Sequence, residues 1–174
     1  MKNNIDEIII RKWTTKDFAV IREILKITWL DTYSKFIPES DLLFYLNETY
    51  NDEKLSLLFA NTDTTFHLAE LNSAVAGIMR ITDSKNEKRF YLNSLYVLPE
   101  YQGYGIGKKL SAVAEKTALG LRYDEIWLGV MEQNISSVEW YKKNGYVFTQ
   151  SEPFQMGKTI VNHFIGYKKL SGKI

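Results

Sequence analysis

The sequence contains no cysteine, which excludes disulfides, thiolate-bound metals and a cysteine nucleophile. It has no apolar run approaching the roughly 18 residues that a membrane-spanning helix requires. No charge of one sign dominates: 22 Lys and Arg stand against 21 Asp and Glu, a net charge of +1. Attraction of the whole molecule to nucleic acid or to an anionic membrane is therefore not expected. Internal repeats, low-complexity tracts and linkers rich in Gly, Pro or Ser are missing too. The segment MKNNIDEIIIR lacks the apolar region of a signal peptide, so a cytoplasmic location is the expectation.

What is present is the composition of a folded domain. The 174 residues are 45% hydrophobic and 14% aromatic, enough for a core without covalent staples. One domain over residues 1–174 is expected. Glu7–Lys12 reads as a strand, and Thr14 or Thr15 as the cap of a helix with Phe18, Ile21, Ile24 or Leu25, and Thr28 or Trp29 at helical spacing. Asp31–Ile37 reads as a connection, and Pro38 as the start of a second helix running through Leu46 or beyond. Thr65–Glu70 and Ala74–Thr82 form a hairpin around Asn72-Ser73, and Phe90–Leu98 is a long strand stopped at Pro99. A helix from Gly105 or Ile106 to Leu121 carries Ile106, Leu110, Val113, Ala114, Thr117 and Leu121 on one stripe. Glu125–Met131 is a central strand, and Ile135–Lys143 a short helix ended by Asn144-Gly145. Tyr146–Ser151 and Asn162–Leu170 are closing strands, antiparallel neighbours in this reading. The order β α α β β β α β α β β implies a mixed sheet with helices on both faces.

The chain has ten glycines and places three at alternate positions, Gly103, Gly105 and Gly107, in LPEYQGYGIGKK. A Walker A loop ending at Gly107-Lys108 needs glycine at position 102 and Ser or Thr at 109, where Gln102 and Lys109 stand. A dinucleotide fingerprint starting at Gly103 needs glycine where Lys108 stands. Two readings survive. Side-chain-free positions between a strand and a helix let backbone N–H groups converge on a phosphate or pyrophosphate, with Gln102 and Lys108 or Lys109 assisting. Alternatively, the glycines only let the helix pack close to the sheet.

The stretch Gln102-Gly103-Tyr104-Gly105-Ile106-Gly107 resembles the Q/R-x-x-G-x-G/A signature of the GNAT superfamily of N-acetyltransferases. Leu95-Tyr96-Val97-Leu98-Pro99-Glu100-Tyr101 is similar to that family's strand exit. The run from Asn134 to Tyr146 resembles its "N-x-x-A-x-x-x-Y-x-K-x-G-F" motif, in order and roughly 30 residues on. The resemblance implies an α/β fold with about seven mostly antiparallel strands, splayed between the two central ones. It implies acetyl-coenzyme A as cosubstrate and no metal. Gln102, Gly103, Tyr104, Gly105, Ile106, Gly107 and Lys108 would hold its pyrophosphate. Leu95, Tyr96 and Val97 would line its pantetheine arm, and Asn134 and Lys143 would touch it. Tyr141, seven residues beyond Asn134 and on the same helix face, would protonate the departing sulfur. From the residues alone, Asn134 is equally a helix cap and Tyr141 a packed ring. Many members carry a glutamate as base near the position of Asn93. Asn93 cannot accept a proton, which leaves water, another carboxylate or His67 as substitutes.

Residues 31–53 hold Asp31, Glu39, Asp41, Glu48, Asp52 and Glu53 against Lys35 alone, an acidic wall that would attract a cationic amine. Thr28-Trp29-Leu30-Asp31-Thr32-Tyr33 resembles a stretch of the PaiA-type spermidine/spermine acetyltransferases, and so does IWLGVMEQN at 126–134. On that resemblance Trp29, Asp31 and Tyr33 are substrate-cleft residues and a polyamine is the acceptor. Protein or peptide amine acetylation, and a non-catalytic coenzyme A-binding module, are the alternatives. Monomer and homodimer both fit.

Overall fold

A computed structural model describes residues 7–171. Strand β1 (Ile8–Lys12) leads through a single 3-10 turn at Thr15–Asp17 into α1 (Phe18–Tyr33). The Asp17 carboxylate accepts from the Thr14 amide at 2.7 Å and from its hydroxyl at 2.9 Å, fixing this entry. Arg11 bridges Asp17 (2.8 Å) and Glu70 (2.7 Å), tying the entry to the sheet and holding the Asp17 carboxyl down to about 2. Then follow α2 (Glu39–Tyr50) and α3 (Asp52–Ala60). The sequence reading missed α3. Asn51 leaves the helical region at ψ 170 and its side chain caps Lys54, so one long acidic helix becomes two. It also placed Asp31 and Tyr33 in a connection, whereas they form the last turn of α1.

Strands β2 (Thr64–Leu71), β3 (Ala74–Ser84) and β4 (Arg89–Val97) form an antiparallel meander. Its first turn uses Asn72 and Ser73 at φ 51 and 67, the positive pair that a two-residue hairpin with right-handed twist needs. Helix α4 (Ile106–Gly120) carries the chain to β5 (Glu125–Met131), and α5 (Ile135–Lys143) to the hairpin of β6 (Val147–Met156) and β7 (Thr159–Lys169). Both closing strands begin or end several residues beyond their expected limits, because each supplies the other's ladder.

All seven strands form one sheet in the order β1-β2-β3-β4-β5-β7-β6. Only β4 and β5 are parallel. The mixed, mostly antiparallel sheet expected from the sequence is therefore present. Apolar side chains fill both faces. Ile21, Leu25, Leu42 and Leu55 of α1–α3 pack with Phe66 and Ile78 on one face. Ile106, Leu110 and Ala114 of α4 pack with Met79, Leu92 and Leu128 on the other. The α4 stripe is rotated from the expected one: Ala118 and Ser111 are buried, while Leu121 lies beyond the helix and is exposed. Truncating a fully buried leucine such as Leu25 or Leu110 costs about 2–5 kcal/mol.

Candidate active site

The site begins with a flaw in the sheet. Arg80 pairs with Ser94 and Ile81 with Leu92, so Asn93 is an extra residue bulging from β4. A bulge bends its strand, and here β4 leaves β5. The two are paired only at Phe90–Ile126 and Tyr91–Trp127, although they run on to Val97 and Met131. Beyond Tyr91, the β4 edge that faces β5 has no ladder partner there. Asn93 itself is exposed, and its side-chain oxygen accepts from Thr82 at 2.6 Å.

Two cavities open at this parting. The first, about 330 Å³, lies under α1 and α2 and is rimmed by Tyr33, Tyr45, Tyr50, Tyr96 and Phe154. The second, about 550 Å³, lies against the start of α4 and one side of α5. Asp31, Leu95, Val97, Gln102, Asn134 and Tyr141 line both. The parted strands thus set two chemically different cavities side by side, sharing these walls as the two halves of a channel.

The second half is a backbone cradle. Gly103 and Gly105 sit at φ +85 and +84, and a Cβ on either would meet nothing within 4 Å. Only glycine holds these angles without strain, and both positions face open space. Among the described residues, the amides of Ile106, Gly107 and Lys108 donate to no carbonyl, since Lys109 makes the first bond of α4, to Gly105 at 3.1 Å. Three unpaired N–H groups at a helix start fit a phosphate well. Gly107 differs from these two: a Cβ there would stand 3.6 Å from Trp140, an ordinary packing contact. Lys108 lines this cavity and so does Lys35 from the end of α1, a cation that no local sequence signal indicated. Gln102 spends its amide on the Val97 carbonyl at 3.2 Å, closing the strand exit. Tyr104, Lys109 and Lys143 line neither cavity.

At the junction, Asn134 is both cap and wall. Its side-chain oxygen accepts from the Ser137 amide at 3.3 Å while the residue lines both halves. Val138 and Tyr141 share its helix face and are buried. Burial raises the Tyr141 phenol, with Tyr33 nearby adding to it, so its proton stays on at any ordinary pH. Loss of hydration raises the Tyr96 phenol strongly and the Tyr33 phenol as well, and their oxygens lie 3.5 Å apart.

In the first half, Trp29 is buried among Tyr33, Tyr45, Tyr50 and Tyr96 at ring separations of 5.8 to 6.5 Å. The expected acidic wall is not there. Of its six acids only Asp31 lines a cavity, because α2 and α3 turn the others away from the channel. Asp41 is held by Thr159 at 2.6 Å, and Asp52 lies 3.7 Å from Arg22. His67 is also elsewhere: it is buried in β2 opposite Met79, lines neither cavity, and desolvation lowers it to about 4. The sequence reading passed over His163 on β7, which lines the first cavity stacked on Phe154 at 4.3 Å. Burial lowers its pKa and favours the neutral ring. A strand histidine at the far end of the chain gave no local clue to this position.

Residues 21–146 match the acetyltransferase (GNAT) family. The chain is 31% identical over 141 residues to a spermidine N(1)-acetyltransferase of Thermoplasma acidophilum, covering 79% of this chain and 86% of that protein. It is 26% identical over 161 residues to an uncharacterized N-acetyltransferase of Lactobacillus delbrueckii subsp. lactis, covering 89% and 93%. Among solved structures, the PaiA N-acetyltransferase of Thermoplasma acidophilum in complex with coenzyme A superposes with a TM-score of 0.78 at 29% identity, covering 94% of this chain and 99% of that one.

Proposed function

The chain belongs to the acetyltransferase (GNAT) family, and on that premise we propose that it moves the acetyl group of acetyl-coenzyme A directly to a primary amine. The observation that carries this reading is the parting of β4 from β5, which joins a phosphate-fitting cradle to an aromatic cavity with Tyr141 between them. The amides of Ile106, Gly107 and Lys108, with the ammonium groups of Lys108 and Lys35, hold the pyrophosphate. The unpaired edge at Leu95 and Val97 holds the pantetheine arm and aims backbone N–H groups at the acetyl carbonyl. When bound, acetyl-coenzyme A supplies an activated thioester, so that transfer forms a C–N bond, breaks the C–S bond and carries one net proton from amine to sulfur.

Tyr141 donates to the sulfur side. A phenol raised by burial is a weak acid, and it suits a leaving thiolate whose own basicity rises in the same dry channel. On the amine side, Asp31 and His163 bring a carboxylate and an imidazole to the lining of the first cavity. They stand in for the base that Asn93 cannot be. The test is release of free coenzyme A across a panel of small amines, spermidine included, and across peptides with a free amine. Release with small amines supports the reading. Release with peptides alone favours protein acetylation, and tight binding with no transfer favours a binding module.

A polyamine acceptor is the narrower reading. Asp31 at the junction and the relative named for spermidine favour it.

A further inference from the structure

Arg80 is the charge that the first cavity does not explain. It stands on β3 opposite Ser94, beside the bulge, and lines the cavity. It is half-buried, with its guanidinium carbon 5.7 Å from the centre of the Tyr50 ring. That contact covers one face of the cation and takes none of its five N–H donors. Its Nε is buried without an acceptor. Among the described residues neither Nη makes a hydrogen bond or ion pair. The other half-buried arginines each have a polar partner: Arg11 has Asp17 and Glu70, Arg89 has Tyr91, and Arg22 has Asn47 at 3.3 Å, although its Nε is also buried without an acceptor.

A second donor in the same cavity is also unmet. Trp29 is 4% exposed, lines the cavity, and its buried indole Nε1 has no acceptor at hydrogen-bond geometry, the Tyr96 hydroxyl near it being too poorly placed to count as one. Against these donors the lining offers one carboxylate, Asp31, at the junction with the coenzyme side. A partly desolvated guanidinium without an anion is costly, and its planar fork matches a carboxylate or phosphate. A polycation in this space would meet Arg80 as a like charge.

We infer that the acceptor is an amine that also carries an anionic group, with Arg80 binding the anion while the amine nitrogen faces the parted strands. The inference rests on the first cavity being the acceptor site. Arg80 on β3 is one strand away from Ser94 on β4, about 5 Å between backbones. The anion and the amine are therefore close together in the molecule that fits, as in an amino acid or a short amino phosphate.

The experiment compares kcat/KM within matched pairs: phenylalanine against phenethylamine, and O-phosphoethanolamine against ethanolamine, with spermidine alongside. The anion-bearing member of at least one pair is expected to be the better acceptor, and which pair responds separates carboxylate from phosphate. In Arg80→Met that ratio should fall toward one, a loss on the order of 10- to 100-fold. Arg80→Lys, which keeps the charge and loses the fork, should retain part of it and decides the matter if Arg80→Met folds poorly. A wild-type ratio at or below one in both pairs overturns the inference, as does a ratio that neither substitution changes. Spermidine exceeding every anionic amine also overturns it, in favour of the polyamine reading. Transfer to the plain amines alone sinks only this inference, whereas coenzyme A release with none of the five sinks it together with the proposed function.

Discussion

The two halves of the channel are built from different materials. On the side proposed for the coenzyme the groups on offer are backbone ones: three unpaired amides at the start of α4, and the bare edge of β4. On the side proposed for the acceptor they are side chains, many of them aromatic, drawn from α1, α2, β3, β4, β5, β6 and β7. A backbone cradle depends on φ angles and on the absence of Cβ atoms, so it takes the same ligand wherever the same glycines recur. A side-chain cavity depends on which residues arrive from distant segments, so it can change its ligand one substitution at a time. This difference explains why the donor is easier to name than the acceptor.

The comparison breaks most sharply at Gly105. Gly105→Asp puts a side chain at φ +84 and a negative charge where the phosphates are expected. Backbone strain alone costs on the order of 1–3 kcal/mol. Calorimetric titration should show acetyl-coenzyme A binding reduced by 100-fold or more, roughly what strain and charge repulsion together give. Undiminished binding would remove the cradle from the coenzyme site.

Tyr141→Phe probes the junction. Removing a positioned acid typically lowers turnover by about 10²- to 10⁴-fold. Steady-state kinetics should show kcat falling with the acetyl-coenzyme A KM little changed. Equal kcat in the variant would leave Tyr141 as a packed ring.

His163→Asn tests the acceptor side. A loss of roughly tenfold in kcat is expected, less than for Tyr141 because Asp31 or water can take the proton. Burial lowers the imidazole pKa, so the acidic limb of the wild-type kcat/KM profile should lie below pH 6.5 and vanish in the variant. An unaltered limb would show that His163 does not remove the proton.

The smallest effect on activity is expected outside both halves, at His67. Its folded pKa of about 4 lies below the ordinary 6.5. Between those values the unfolded chain binds the proton and the folded one does not. Stability is therefore complete above about pH 6.5, declines as the pH falls, and levels off below about 4. His67→Leu should flatten that decline in urea titrations at a series of pH values, with kcat at pH 7 close to wild type. His163 leaves a residual slope of the same sign. A decline as steep as in the wild-type protein would show that His67 is not its source.

Much of the half proposed for the coenzyme was legible as structure because it is local. The glycines, the strand before them and the helix after them are contiguous, and Asn134 and Tyr141 lie on one short helix. The acceptor half was not. Asp31 and Tyr33 read as a connection because Ser34-Lys35 and Pro38 obscure where α1 stops. The acidic count over residues 31–53 carried no information about direction, and packing of the apolar faces of α2 and α3 leaves most of those charges toward solvent. Lys35, Arg80 and His163 carry no local signature at all.

By itself the sequence determined the order of strands and helices apart from α3, through the periodicity of its apolar residues. It determined the turn before α4 as well, since glycine is the residue that holds φ near +85 without strain. Tertiary structure alone decided that β4 parts from β5 after Tyr91, because a bulge is a mismatch between two strands and belongs to neither. It alone decided that Arg80, Trp29 and His163, from β3, α1 and β7, share one cavity, because their proximity comes from sheet order and helix packing.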